Sequence, residues 1–193
     1  MLLQHRQACA LRREIDMAIS DIENFVRSYD RESYAIFAQQ GSEPTLQDVN
    51  DFEREVAFSF PEEFRAFAVH PLGGLYVEVK EALWPRPKAY DVGPFWTFLY
   101  GFRVYSLSRA APDWLQMRAA WTQMQANGTA EFVPFLKVMG DADPYCFTRD
   151  GGIVILRHET PEKPEPVSLG FSGVVMAEIH ALEERKNRKL AQK

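Results

Sequence analysis

Four histidines and two cysteines are the side chains in this sequence best suited to nucleophilic or acid–base chemistry. A serine or cysteine nucleophile needs a histidine base within hydrogen-bond reach and a third group that orients the base. His5 lies among the first residues, His70 precedes Pro71 where a helix should end, His158 follows a strand, and His180 falls on the last helix. None is accompanied by a Gly-x-Ser-x-Gly elbow or another nucleophile context. An enzyme built on this chain would have His70, Asp141 and His158 as its candidate groups. The scatter of the histidines instead leads to the expectation of no catalytic site.

Asp141, Asp143 and Asp150 could offer hard oxygen ligands to calcium, but the twelve-residue spacing and closing glutamate of an EF-hand are missing. Turn-forming aspartates beside Pro144 account for the same pattern. Cys9 and Cys146 are far apart and have no paired-histidine motif, so local spacing cannot assemble four zinc ligands. Gly73-Gly74 and Gly151-Gly152 lack phosphate-loop spacing and read as turns. No metal or cofactor is expected.

The segment from Trp84 to Tyr105 is crowded with rings, including Trp96 and Tyr100, and fits core packing, a protein-contact patch or a nucleic-acid stacking platform. Arg86, Lys88 and Arg103 interleave with the rings, yet the surrounding charge is acidic, which disfavours nucleic acid. The stripe Trp114, Met117, Trp121, Met124 has the spacing of a helix's core face.

Positioning these residues falls to a chain of 193 residues with 46% hydrophobic and 25% charged content, enough apolar material for one sizeable core. The net charge is −5. Residues 44–182 carry 12 basic and 18 acidic side chains, a balance of −6, whereas residues 183–193 carry 5 and 2, a balance of +3. Such a body has no global positive field to draw it to nucleic acid or anionic lipid. Two distant cysteines fit a reducing compartment, and no signal-like or membrane-spanning apolar run is visible, so a cytoplasmic location is expected.

The spacing of Leu11, Ile15, Ile19, Ile22, Phe25, Val26 and Tyr29 predicts an amphipathic helix, continued through Ala38 from a cap at Asp30 and stopped by Gly41 and Pro44. Residues 1–43 thus read as a helical extension, able to mediate self-association. Thr45 and Asp48 form a capping-box pattern before a helix to about Phe58, and Pro61 starts another that stops near Gly73-Gly74. Leu75–Lys80 alternates as a strand, another strand is expected near Phe102–Leu107, and Pro112-Asp113 opens a helix closed by Asn127-Gly128. After Phe132–Met139, Tyr145–Thr148 and Ile153–Leu156 form a hairpin around an Asp-Gly turn. A proline-stiffened connector over Thr160–Pro166 leads to a short strand at Val167–Leu169, and Ser172 caps a last helix that passes into a basic tail, 186–193.

Taken in order, several of these segments resemble the SUKH superfamily, the family of Smi- and Knr-type cell-wall-synthesis regulators. Phe52-Glu53 is similar to its hydrophobic-Glu pair, and Phe60-Pro61-Glu62-Glu63-Phe64 to its apolar-Pro-x-x-aromatic signature. Gly73-Gly74 stands where the family usually has Asn-Gly-Gly, with Leu72 at the asparagine position. Val133–Leu136, Gly140–Phe147, Ile153–Leu156 and the helix from Phe171 complete the order. The resemblance covers about residues 45–185.

It implies a single α+β domain over residues 44–185, with a twisted, mainly antiparallel sheet packed against helices and no enzymatic activity. It also implies a role as a bacterial immunity protein that neutralises a cognate toxin, often a nuclease, by direct binding. A regulatory scaffold of the cell-wall type is the alternative, and a small-ligand protein or enzyme using an aromatic pocket is the second. The expected partner contacts are Trp84, Trp96 and Tyr100 together with an acidic surface at Asp141, Asp143, Glu159 and Glu162, which would suit a basic partner.

Overall fold

Helix α1 (19–28) turns at Asp30 into strand β1 (Tyr34–Phe37), where the sequence pattern predicts a continuing helix. In the computed structural model, which describes residues 19–38, 41–88 and 95–191, Asp30 accepts the backbone N–H groups of Ser33 and Tyr34 and the Ser33 hydroxyl. That closed turn releases Tyr34-Ala35-Ile36-Phe37, a β-branched and aromatic run, to pair with the sheet. Ile22 is fully buried and Tyr34 nearly so. The boundary expected at residue 43 therefore does not separate an appendage from the core. The first part of the predicted extension, residues 1–18, lies outside the described residues.

Among the described residues seven strands follow one another in a simple meander, β1 to β7 in sequence order, every ladder antiparallel. They are β1, β2 (Tyr76–Val79), β3 (Gly101–Val104), β4 (Val133–Val138), β5 (Tyr145–Phe147), β6 (Ile153–Ile155) and β7 (Glu165–Val167). Helices α2 (Leu46–Val56), α3 (Glu62–Ala68), α4 (Met117–Ala126) and α5 (Phe171–Ala191) complete an α+β fold. The hairpin expected around Arg149–Gly152 is present, with Gly151 at φ +82°. The last strand falls two residues early. Its Glu165 and Pro166 put a charge and a missing donor on an open edge, which discourages pairing with another chain.

Helix α2 starts with the predicted capping box: Asp48 N–H donates to the Thr45 hydroxyl at 3.2 Å and Thr45 N–H to the Asp48 carboxylate at 2.7 Å. Glu53 on that helix accepts the Phe60 N–H at 2.7 Å and pairs with Arg65, which also donates to Asn50. The Phe-Glu pair and the Phe-Pro-x-x-Phe run are thus one device, a carboxylate tying the entry of α3 to α2. At the other end of α3, Gly73 passes so close to Ala68 that a Cβ would lie 2.5 Å from its carbonyl oxygen, and Gly74 has φ +75°.

One face of the sheet carries Val77, Val79, Phe102, Val104, Leu136, Val138 and Phe147 into the main core. Phe135 joins them because the β4–β5 register shifts between Pro134 and Leu136. Phe135 stacks on Phe147 at 4.3 Å between ring centroids, and Phe60, Phe64 and Phe171 surround the pair. Glu63 accepts the N–H and hydroxyl of Ser172, so α3 satisfies the first turn of α5. The expected basic tail is helical as far as Ala191, with Lys186 over the Tyr34 ring.

Candidate functional site

The opposite face of the sheet is only partly covered, and the reason is a break in one helix. The predicted stripe from Trp114 to Met124 is split: a 3₁₀ turn, Asp113–Leu115, gives way at an extended Gln116 (φ −73°, ψ 127°) before α4 begins. Ser106 forces the break by donating its N–H to the Leu115 carbonyl and accepting the Met117 N–H, each at 2.8 Å. Met117 and Trp121 remain in the core, but Trp114 leaves it and is 45% exposed. Its ring meets Tyr76 edge-on at 5.3 Å and lies 6.4 Å from Phe37, itself 45% exposed.

Between this aromatic rim and the segment after β6 lies a groove of about 680 Å³. Arg103 and Tyr105 from the β3 strand and its continuation, and Pro134 and Lys137 from β4, line it from the sheet side. Helix α4 contributes Ala119, Ala120 and Met124, and the far wall is Leu156, Arg157, His158 and Pro161. Met124 and Leu156 belong to a small second apolar cluster with Cys146 and Val154 on this face. Burial pushes the Cys146 thiol well above the ordinary range, so it sits there as an apolar residue.

Arg103 and Lys137 are direct neighbours across the β3–β4 ladder. Both are half-buried. Arg103 donates to the Tyr105 hydroxyl at 3.4 Å and lies over its ring at 5.1 Å, while its Nε is buried without a partner. No ion pair among the described residues involves either cation. Burial, then the charge on Arg103, lowers the Lys137 ammonium below its ordinary pKa, with Asp141 and Asp143 opposing.

At the rim, Asp143 accepts the His158 N–H at 2.8 Å, faces its ring Nδ1 at 2.7 Å and pairs with Arg157 at 3.0 Å. Burial would raise the Asp143 carboxyl, but these donors outweigh it and hold the group below the usual range. The hydrogen bond to Asp143 in turn raises His158. Arg157 also binds Glu165.

Trp84 is 3% exposed and donates its indole N–H to the Thr97 carbonyl, so its ring is core. Tyr100 lies under the Arg86 guanidinium at 3.7 Å, and Trp96 is exposed. Of the acidic set, Asp143 is neutralised by Arg157 and His158, Asp141 accepts the Asp143 N–H, and Glu159 and Glu162 face solvent. Asp141, Asp143 and Glu159 all lie close enough to act on His158, with Asp143 covered by its partners. His70 is held by Glu23 and by the Leu72 N–H.

Lys137 and the turned-out Trp114 were not among the expected contacts. Lys137 could have been found as the single charge in Val133–Val138, a strand otherwise apolar. Among the described residues no group of three His, Cys, Asp or Glu is arranged for a metal ion, and no helix is long and apolar enough to cross a membrane. Compared with known proteins, the chain matches no family model and no curated sequence.

Proposed function

We propose that this chain is a non-catalytic binding protein that holds a partner against the partly covered face of its sheet, and that in the cell it is an immunity protein neutralising a cognate toxin. The carrying observation is the aromatic rim of the groove, where Phe37 and Trp114 are both exposed and buttressed by Tyr76. A large ring held at an edge loses little entropy when a partner covers it, which is why tryptophan and tyrosine dominate interface hot spots. The resemblance to SUKH proteins supports the immunity role, with Glu53, Phe60 and Arg65 supplying its structural logic. The acidic balance of the body, with Glu159 and Glu162 exposed beside the groove, favours a basic partner such as a nuclease.

Co-expression with the product of a neighbouring toxin gene should restore growth, and the two proteins should co-purify. Trp114→Ala should weaken the complex by at least about tenfold without loss of fold. A purified chain that binds no product of its genetic neighbourhood and rescues no toxin-expressing cell overturns the proposal.

A further inference from the structure

Two like charges facing each other across a strand ladder repel, and an arginine Nε buried without an acceptor forgoes a hydrogen bond it had in water. Arg103 and Lys137 combine both penalties at adjacent positions on the sheet side of one groove. A single oxyanion between them would relieve the repulsion, since a guanidinium and an ammonium can bind the same carboxylate or phosphate group. The Tyr105 hydroxyl and ring already fix the guanidinium.

We infer that this groove is a receptor for a small ligand bearing one oxyanion, a carboxylate or a phosphate monoester, on a flat apolar body. Arg103 and Lys137 hold the anion, and Met124, Pro134 and Leu156 receive the body. The volume of about 680 Å³ falls among small-molecule sites, which join apolar walls to a few placed polar groups. The cations favour a small ligand over a protein surface because they are half-buried strand residues walled by α4 on one side and Arg157–Pro161 on the other. The depressed Lys137 pKa accords with a site built for an anion that would restore it. The inference goes beyond the partner-binding role and stands without it.

The test is a titration of the full-length, ¹⁵N-labelled protein with benzoate, phenyl phosphate and inorganic phosphate, following the Arg103 Nε–H resonance. Phenyl phosphate or benzoate should shift it saturably, inorganic phosphate should bind at least about tenfold more weakly, and Arg103→Gln or Lys137→Gln should weaken binding of the better probe by a similar factor. Binding to the Gln variants is followed by calorimetry, and a thermal melt confirms that each remains folded. Ala119→Trp, at an exposed position of α4, should block the groove while leaving both cations in place. The absence of saturation by either aromatic probe up to roughly 20 mM, equal affinity for inorganic phosphate, or affinity unchanged in the Gln variants would overturn the inference. If the probes fail while capture of a protein partner depends on Arg103, the small-ligand site is wrong and the partner-binding role survives.

Discussion

Glu53 shows how one side chain can turn two separate sequence patterns into one structural unit. Its carboxylate accepts the Phe60 N–H and pairs with Arg65, with little exposure to water. Hydrogen bonds to a charged group are worth about 1.5–3 kcal/mol, so Glu53→Gln, which keeps the shape and loses the charge, should lower unfolding free energy by about that amount in a denaturant titration. At the groove rim, His158 has its pKa raised above its ordinary 6.5 and Asp143 has its own held below 3.8. A raised histidine stabilises the fold fully below 6.5 and ceases to as pH climbs through its folded value. A depressed carboxylate stabilises above 3.8 and ceases to as pH falls through its folded value. The contact is therefore strongest between those limits. An NMR titration should place the His158 pKa above 6.5, and Asp143→Asn should return it toward the ordinary value.

Elements were legible in the sequence where local chemistry decides and illegible where a distant strand does. Thr45 and Asp48 announce α2, and Asp150-Gly151 announces the β5–β6 hairpin, because caps and tight turns act within four residues. The conversion of residues 34–37 to a strand depends on β2, about forty residues on, and the break at Gln116 on Ser106, more than two helical turns away, and pairing overrode the helical pattern in both. The groove was hidden for the same reason, since Trp114 reads as core until the break turns it out. The ring layer, by contrast, was announced by composition, and its centre is Phe147, in contact with Phe58, Phe60, Phe64, Phe135 and Phe171. Phe147→Ala should destabilise the protein by about 3–5 kcal/mol, read from the shift of a urea midpoint at constant slope.

The whole molecule is a meander in which each strand pairs with its sequence neighbours, so its first strand is as much a part of the sheet as its third. Deleting residues 1–43 should therefore lower the melting temperature and promote aggregation measured by light scattering, because it removes Ile22 and Tyr34 from the core and bares the edge of β2. An unchanged melting curve would restore those residues to the status of an appendage. Pairing between sequence neighbours also shortens the loops that must close during folding. Helix α5 is the last of the distant contributors, its Phe171 lying 5.2, 5.0 and 5.5 Å from the rings of Phe64, Phe67 and Phe135. On the ribosome, every strand leaves the exit tunnel before that helix does. The sheet can zip up as it is translated, while its phenylalanines wait unsealed for a segment not yet made. A nascent chain stalled with residue 170 clear of the tunnel should be cut readily by protease, and one with residue 191 clear should resist; equal resistance would mean that the growing sheet can shelter its rings alone.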